Sequence, residues 1–437
     1  MTVACVHIEK LAFGGNGIGR INGKVCFVPL SCPGDELLVN ITAEKRSYLT
    51  AGIAGIITPS HHRVVPPCPL FNSCGGCGWQ HIAYPVQVDA KRQFLVDALW
   101  RGARVPVEKV SEIVRAPEQY GYRSRVQFKL HGGADKLRIG FYRHASHVVE
   151  DATQGCPIVL PVINEALFCL RDVLSSFPES AAIPQINIDC GEQGVVAIIK
   201  YIGRDPDRVA AFFEKNHCSL EPLTGVFLQT GTQSSLRRVS GSGILAYSLP
   251  GGGVDASTCS LIFRPGGFSQ VNSAQNRAML NIIRELACLG GDERVLDLYC
   301  GNGNFSLPLA YDVATITGIE ENVYSIASAV DNCQLNGIDN AEYIASDAAK
   351  GVRRLADNRR HYDVVILDPP RSGAADTVGE ICRLNPDKII YISCDPSTLA
   401  RDCGLLLAGG FSVFKSIPVD MFPQTYHLES ITLLQRV

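Results

Sequence analysis

Residues 294–305 read RVLDLYCGNGNF, and this stretch decides the fold of the C-terminal part of the chain. An apolar strand that carries one acidic residue runs directly into Gly301 and Gly303, which open a helix. Glycines at this point let the backbone approach a ligand at the carboxyl ends of the strands, where open α/β sheets bind. The stretch alone therefore indicates either a ligand-binding crevice or a tight turn.

The segments around this stretch alternate between strand and helix patterns. We predict a helix over residues 276–289, and strands at RVLDLYC, TITGIE, YDVVILDPP and KIIYISCDP, each followed by a helix. Such alternation predicts a parallel sheet with helices on both faces. TITGIE ends at Glu320, where a carboxylate can accept hydrogen bonds from ribose hydroxyls. A dinucleotide site would favour glycine where Ser306 stands, so a methyltransferase crevice is the better interpretation.

Two further strand ends point to the same crevice. Asp368-Pro369-Pro370 follows YDVVIL, and the paired prolines impose a rigid extended exit that serves either the reacting group or loop stability. Cys394 follows KIIYIS, and a thiol at the carboxyl end of a strand faces the crevice in this fold. Position alone leaves Cys394 open as a nucleophile or a structural cysteine, and a nucleophile needs a polar neighbour to ionise.

The cysteines suggest a metal site. Seventeen of them stand in a long chain whose start lacks a secretory pattern, which favours thiols, metal ligands or catalytic groups over disulfides. Cys68, Cys74 and Cys77 form C-x5-C-x2-C in a Pro- and Gly-rich segment, and Cys156 follows at a distance. Four such thiols predict a site for which iron-sulfur and zinc remain open. Most of the others we interpret as small buried hydrophobes.

The composition is that of a folded protein with two or three domains. Hydrophobic residues make up 46% of the 437 residues and charged residues 19%, which excludes a disordered chain. No apolar run reaches the length of a membrane span, so we expect a cytoplasmic protein without a membrane partner. The net charge of −3 argues against indiscriminate polyanion binding. Residues 86–145, however, hold 12 Lys and Arg against 6 Asp and Glu, which indicates an RNA-facing stretch.

Within that stretch, residues 120–130 read YGYRSRVQFKL and interleave aromatic with basic side chains. Aromatic rings can stack on splayed bases and cations can bind phosphates, but the same pattern fits a solvated strand with one core face. Beside a catalytic domain that acts on RNA, we favour RNA contact. The residues concerned are Tyr120, Tyr122, Phe128, Arg123, Arg125 and Lys129.

The N-terminal half shows a different organisation. Residues 1–58 predict a small β-barrel, with strands over 3–8, 25–28 and 36–41 between Gly-rich turns, which is either an RNA-binding barrel or a structural cap. A helix is predicted over 86–101. From 113 to about 261 the pattern is mainly strands with one helix over 160–177, and this predicts an α+β region.

The motifs DLYCGNGNF, ILDPPRSG, ISCDPSTLARD and HLESITLL together resemble the RNA 5-methyluridine methyltransferase family, which includes transfer-RNA and 23S ribosomal-RNA enzymes. The resemblance covers the whole chain and implies an α/β protein of three domains. It implies an RNA-binding OB-like TRAM barrel at 1–58 and a central α+β domain with the cysteine site at 59–265. The last domain, at 266–437, would be a Rossmann-like catalytic domain that uses S-adenosylmethionine. We expect a monomer.

The resemblance also implies a role for individual residues. Cys394 matches the family's nucleophile and Glu429 its base. The four cysteines match the ligands of a [4Fe-4S] cluster in members with this spacing. The positions that match the family's cofactor contacts are Gln270, Tyr299, Asn304, Glu320, Asp347 and Asp368. Tyr299 stands where Phe is common, and Asp347 where Asn occurs.

Methylation of uracil at carbon 5 needs both a nucleophile and a base. Carbon 5 of uracil is a poor nucleophile, but attack of a thiolate on carbon 6 turns the ring into an enolate that accepts a methyl group at carbon 5. The carbon 5 proton must then leave before the thiolate is expelled, which requires a general base. We therefore predict uridine C5 methylation through a covalent Cys394 adduct. The target uridine must be unstacked or flipped, so a loop substrate is expected.

Several alternatives remain beside this prediction. The favoured substrate is 23S ribosomal RNA, and the alternative substrate is the T-loop of transfer RNA. A 5-methylcytosine enzyme would carry a cysteine after the proline of the fourth-strand motif, and DPPRSG has none. An amine or glutamine methyltransferase would have an aromatic residue where Arg371 stands. A non-catalytic iron-sulfur RNA-binding protein is the alternative from another class.

Overall fold

The computed structural model describes residues 2–132, 137–252 and 258–437. Its N-terminal part is a closed barrel with the strand order β1-β2-β3-β5-β4. The strands are β1 (Val3–Leu11), β2 (Gly17–Ile21), β3 (Lys24–Val28), β4 (Glu36–Glu44) and β5 (Tyr48–Thr58). Alternate side chains such as Val6, Ile8, Leu37 and Val39 fill the interior, because successive residues of a strand point to opposite faces.

The central part is a mixed sheet covered by helices on one face. Its strand order is β12-β11-β10-β9-β6-β7-β8. The strands are β6 (Arg125–His131), β7 (Arg138–Tyr142), β8 (Val149–Asp151), β9 (Gln185–Cys190), β10 (Val195–Lys200), β11 (Gly225–Gln229) and β12 (Arg237–Gly241). Helices α2 (Pro161–Ser175) and α3 (Pro206–Lys215) cover this face, whereas α1 (Tyr84–Ala103), which precedes the sheet in the chain, packs elsewhere. Phe128, Ile186 and Ile188 of the sheet share one core with Ile163 and Leu167 of α2.

The C-terminal part holds the second large sheet. A hairpin of β13 (Leu245–Pro250) and β14 (Thr258–Phe263) precedes it. The sheet order is β17-β16-β15-β18-β19-β21-β20. Its strands are β15 (Arg294–Leu298), β16 (Thr315–Glu320), β17 (Ala341–Ala345), β18 (Val364–Leu367), β19 (Lys388–Ser393), β20 (Phe411–Val419) and β21 (Glu429–Arg436). β15 to β19 pair in parallel, and β21 lies antiparallel between β19 and β20.

Helices connect these strands. They are α4 (Ser273–Ala287), α5 (Ser306–Leu309), α6 (Val323–Asn336), α7 (Ala348–Asp357), α8 (Ala375–Leu384) and α9 (Pro396–Ala408). Leu95 and Leu99 of α1 share a core with Leu399 and Cys403 of α9, so the helix that follows the cysteine-rich segment is built into the catalytic sheet's helical layer. This shared core places the central part directly against the C-terminal one.

The predicted fold class is confirmed. The parallel order β17-β16-β15-β18-β19 with intervening helices is that of a methyltransferase sheet, and the N-terminal five-stranded barrel and the mixed α and β content agree with the predicted class. The helices predicted over 86–101, 160–177 and 276–289 are α1, α2 and α4. In the part of the chain that the structure describes, no helix combines the length and the apolar character needed to cross a membrane.

Candidate active site

One cavity of about 1140 Å³ extends from the cysteine-rich segment to the carboxyl ends of the catalytic strands. It collects most of the residues that the sequence singled out. These are Gln270, Tyr299, Glu320, Asp347, Asp368, Cys394 and Glu429, together with Cys68, Cys74, Cys77 and Cys156. The predicted crevice and the predicted cysteine site are therefore two regions of a single cavity.

Asn304 is the predicted site residue that does not line this cavity. Its side-chain oxygen accepts hydrogen bonds from Asn276 Nδ2 at 2.8 Å and from the Tyr247 hydroxyl at 3.0 Å. Its own amide nitrogen donates to Asn276 Oδ1 at 2.9 Å. These bonds occupy the buried carboxamide and tie the glycine motif to α4 and β13. The expected cofactor contact of the Asn304 side chain is thus not supported by its position, because packing has turned it toward α4.

The glycine motif forms the floor of the crevice between β15 and β16. Gly301 and Gly303 have φ angles of 57° and 89°, and a Cβ at Gly303 would collide with the Leu307 side chain. The Gly301 amide donates to Glu320 Oε2 at 3.3 Å, and the Asn322 amide donates to Glu320 Oε1 at 2.8 Å. These two amides hold the Glu320 carboxylate at the end of β16. Tyr299 adopts a left-handed φ of 62°, uncommon for an aromatic residue.

The Cys394 thiol lies at the end of β19 among charged neighbours. Burial, together with the negative charges of Glu429 and Asp368, raises the pKa of this thiol to about 12, although the Arg371 cation acts to lower it. A thiol with such a pKa is protonated at neutral pH. A substrate that approaches together with the Arg371 cation would favour the thiolate, which is the reactive form.

Two carboxyl groups share this environment. Burial raises the pKa of Glu429 well above its usual range, Asp368 raises it further, and Arg371 lowers it. Burial alone raises the pKa of Asp368 to about 7. Carboxyl groups with raised pKa values are suited to proton transfer near neutral pH. The thiol and both acids therefore form one electrostatically coupled group at the strand ends.

A buried carboxylate positions the loop between Asp368 and α8. Asp402 of α9 accepts hydrogen bonds from the Ala374 amide at 2.7 Å and from the Tyr391 hydroxyl at 2.6 Å. Arg401 donates to Asp402 Oδ1 at 2.8 Å and to the Ser372 carbonyl at 2.8 Å. The helix that follows Cys394 thus holds the loop that carries Arg371. The residues responsible belong to the LARD part of the ISCDPSTLARD motif.

Sequence reasoning missed Arg371 and His427 as cavity residues. Burial and the nearby cations Arg371, Lys91 and Arg123 together lower the pKa of His427 to about 4. Its imidazole is consequently neutral at neutral pH. Both residues stand inside motifs that were recognised, DPPRSG and HLESITLL, so their place beside Asp368 and Glu429 in the sequence was the available signal.

The four cysteines predicted as metal ligands are free thiols. Burial, together with the charge of the neighbouring cysteines including Cys156, raises the pKa of Cys74 to about 11 and of Cys77 to about 12. Burial also raises the pKa values of Cys68 and Cys156. The four thiols are close enough to influence one another. Among the described residues, however, no group of three or more His, Cys, Asp or Glu side chains is arranged to hold a metal ion.

The structure corrects the prediction that the interleaved residues 120–130 contact RNA. Tyr122 and Phe128 are buried, and the Tyr122 hydroxyl donates to the Pro423 carbonyl at 3.0 Å, so neither ring can stack on a base. They belong to the core face of β6 and the segment before it. Arg123 and Arg125 do line the cavity, but Arg125 is paired with Asp189 at 3.0 Å. Asp135 and Lys136 of the basic stretch 86–145 lie outside the described residues.

Comparison with known proteins finds RNA uracil-C5 methyltransferases and the TRAM domain. Residues 254–437 match the family described as tRNA (Uracil-5-)-methyltransferase, and residues 2–54 match the TRAM domain. The chain is 33% identical to the 23S rRNA (uracil(1939)-C(5))-methyltransferase RlmD of Aeromonas salmonicida, covering 96% of this chain and 93% of the relative. It is 35% identical to the protein of the same name from Stenotrophomonas maltophilia, covering 98% and 96%.

A solved structure shares the whole architecture. It is the Pyrococcus abyssi tRNA (uracil-54, C5)-methyltransferase in complex with S-adenosyl-L-homocysteine, with a TM-score of 0.74 and 24% sequence identity. The superposition covers 99% of this chain and 100% of the other. At this identity the likeness establishes the fold of the chain from barrel to catalytic sheet.

Proposed function

The chain belongs to the family of RNA uracil-C5 methyltransferases, and from this premise we propose that it methylates carbon 5 of a uridine in 23S ribosomal RNA with S-adenosylmethionine as methyl donor. The observation that carries the proposal is the grouping of Cys394, Glu429 and Asp368 in one cavity with the glycine motif. Relatives named for a 23S rRNA uracil match nearly the full length of the chain, which favours ribosomal over transfer RNA as substrate.

The residues at the ends of β15 to β18 suit the methyl donor. Glu320, Asp347 and Asp368 supply carboxylates to a cavity floored by Gly301. Carboxylates at these positions can accept hydrogen bonds from ribose hydroxyls and attract the positive charge of a sulfonium compound. When bound there, S-adenosylmethionine supplies an electrophilic methyl group. The side chains of the protein have to activate the uracil ring and remove the proton from its carbon 5.

Cys394 and Glu429 perform the two protein-borne steps of the proposed cycle. The Cys394 thiolate forms a bond to carbon 6, and the electron pair of the 5,6 double bond moves toward the carbonyl at carbon 4, which makes carbon 5 nucleophilic. Once carbon 5 carries the methyl group, Glu429 removes its proton. The freed electron pair restores the double bond while the bond between sulfur and carbon 6 breaks. The Arg371 cation lowers the pKa of both residues and so favours the thiolate of Cys394 and the carboxylate of Glu429, which are their reactive forms.

The four cysteines supply the set of thiolate donors that a cubane iron-sulfur cluster takes. All four thiols face the same cavity and influence one another's pKa, but they are not arranged around one metal ion within the described part of the chain. A cubane cluster binds one thiolate per iron, so four thiolates match its requirement. We infer a [4Fe-4S] cluster on Cys68, Cys74, Cys77 and Cys156. The methyl transfer contains no redox step, so the cluster would organise the segment that lines the RNA cavity.

Methyl transfer to defined RNA tests the proposal. The protein is incubated with S-adenosylmethionine labelled in the methyl group and with 23S ribosomal RNA that lacks 5-methyluridine. We expect labelled 5-methyluridine after digestion, and none with the Cys394→Ala variant. Label in transfer RNA alone would assign the protein to the other substrate. Tight RNA binding without any methyl transfer would instead support the non-catalytic alternative and refute the proposed activity. A monomeric state in the cytoplasm stays the expectation from the sequence.

A further inference from the structure

Two neighbouring strands of the central sheet present a row of polar side chains on one face. In β6 the alternate residues Arg125, Gln127 and Lys129 share this face, whereas Val126 and Phe128 point into the core. β9 pairs antiparallel with β6, and its register sets opposite these three residues Asp189, Asn187 and Gln185, respectively. The result is a ladder of three cross-strand polar pairs, which we call the polar ladder.

The polar ladder opens into the catalytic cavity. Arg125, Gln127, Asn187 and Asp189 line the same cavity as Cys394 and the four cysteines. On β6 and β9 the core side chains lie on the opposite face, so the polar side chains of the ladder are left facing the cavity. The face is therefore available to the molecule that enters the cavity.

Most members of the ladder are held in place by each other. Arg125 Nε donates to Asp189 Oδ1 at 3.0 Å, and Asp189 Oδ2 accepts the Gly266 amide at 2.8 Å. The Lys129 ammonium donates to Gln185, whose amide in turn donates to Asn187 Oδ1 at 2.5 Å. The Arg125 charge is thus compensated by Asp189, and the Lys129 ammonium is held by the neutral Gln185 carboxamide. This leaves the middle pair as the part of the ladder that can bind a neutral polar ligand.

The middle pair, Gln127 and Asn187, retains hydrogen-bonding groups that a ligand can use. Gln127 is exposed to the cavity, and among the described residues its carboxamide has no hydrogen-bond partner. Asn187 opposite uses its oxygen for Gln185 and keeps its amide nitrogen as a donor. Two adjacent carboxamides offer both donors and an acceptor, which is the combination that hydrogen-bonds to the edge of a nucleobase. Sequence-specific RNA recognition relies on such contacts to unpaired bases.

We propose that Gln127 and Asn187 recognise the edge of an unpaired RNA base adjacent to the target uridine. The inference rests on the proposed function, because it takes RNA as the molecule that fills the cavity. The methyl donor is a less suitable occupant, since its expected contacts Glu320 and Asp347 belong to the other sheet. The ladder would give the enzyme a preference for the sequence around its target in addition to the target itself.

Equilibrium binding to altered RNAs tests the inference without the methylation reaction. The probe is an unmodified fragment of 23S ribosomal RNA that contains the uridine corresponding to uracil 1939 named in the relatives, with each flanking unpaired nucleotide replaced in turn. We expect the parent protein to bind at least one replaced fragment about 10-fold more weakly. Gln127→Ala and Asn187→Ala should bind the original fragment more weakly and lose the discrimination at that one position.

A matched control is Gln193→Ala. Gln193 is an exposed glutamine in the turn between β9 and β10, so its removal should leave both affinity and discrimination unchanged. Unaltered discrimination in the Gln127→Ala and Asn187→Ala variants, at parental thermal stability, would overturn the inference, as would a parent protein indifferent to every flanking replacement. A loss confined to S-adenosylmethionine affinity would assign the ladder to the methyl donor and also refute it. Failure of the proposed function has a different signature, namely no 5-methyluridine formed by the parent protein.

Discussion

The Lys91 ammonium donates a hydrogen bond to Asp420 Oδ1 at 2.5 Å, and both side chains are completely buried. Lys91 also donates to the Phe422 carbonyl at 2.9 Å, and Gln87 of the same helix accepts the Gln424 amide at 3.0 Å. α1 thereby holds the segment that runs from β20 to Glu429. A contact between the central region and the C-terminal strands thus determines where the proposed base lies.

This relationship predicts a large loss of stability in Lys91→Met. The substitution leaves the Asp420 carboxylate buried without its cation, and breaking such a pair costs about 3–5 kcal/mol. Urea unfolding followed by circular dichroism measures the change in the free energy of unfolding. Lys415→Met, at an exposed lysine of β20, is the control and should change it little. Equal losses in the two variants would mean that the ion pair contributes nothing of its own.

The charges of Glu429 and Arg371 should change the reactivity of Cys394 in opposite directions. Because burial raises its pKa to about 12, alkylation by iodoacetamide should be slow at pH 8 and accelerate about tenfold per pH unit up to pH 10. Glu429→Gln removes a negative charge and should lower this pKa, which speeds the reaction. Arg371→Met removes a positive charge and should slow it. Mass spectrometry of the Cys394 peptide gives the rates, with exposed Cys218 as internal reference. Changes in the same direction would contradict the assigned electrostatics.

Glu429→Gln should trap the covalent intermediate. Attack on carbon 6 and transfer of the methyl group do not need the Glu429 carboxylate, whereas removal of the carbon 5 proton does. We expect a protein-RNA band that survives denaturing electrophoresis and is absent from Cys394→Ala and from the double variant. Should Glu429→Gln turn over at the parental rate, another group acts as the base.

Binding of S-adenosylmethionine should strengthen as the pH rises from 5 to 8. Burial raises the pKa of Asp368 to about 7, so its carboxyl is mostly protonated at pH 5, and a cationic ligand favours the ionised form. Below pH 7 the affinity should rise by up to about tenfold per pH unit for one released proton. Isothermal titration calorimetry measures it. Asp368→Asn should flatten the profile, and an equally steep profile in that variant would assign the proton to another group.

The cysteine site predicts the metal content of the protein. Protein purified without oxygen should be brown and contain about four irons per chain, because a cubane cluster bound by four thiolates holds four. Replacing Cys77, whose thiol is buried in the cavity wall, with serine should lower the iron content, whereas replacing exposed Cys218 should not. One zinc per chain would identify a different site.

Local patterns in the sequence were sufficient for the fold class and for much of the site. RVLDLYCGNGNF, the DPP triplet and Cys394 each sit at the carboxyl end of a strand, and parallel strands bring their carboxyl ends to one edge of the sheet. Strand and helix periodicities act over a few residues, so α1, α2 and α4 could be predicted without knowledge of their neighbours. The role of Glu429 and the choice of a [4Fe-4S] cluster for the four cysteines required the family resemblance.

Side-chain orientation and long-range contacts were decided only by the tertiary structure. Residues 120–130 show alternation, but only packing against α2 determined that Phe128 faces the core and Gln127 the cavity. Asn304 turned toward Asn276 because that partner is buried beside it. Lys91 and Asp420 are 329 positions apart in the chain, and no local signal relates them. The physical reason is that periodicity specifies which face of an element is apolar, whereas the partner of each polar group depends on which distant element packs against it.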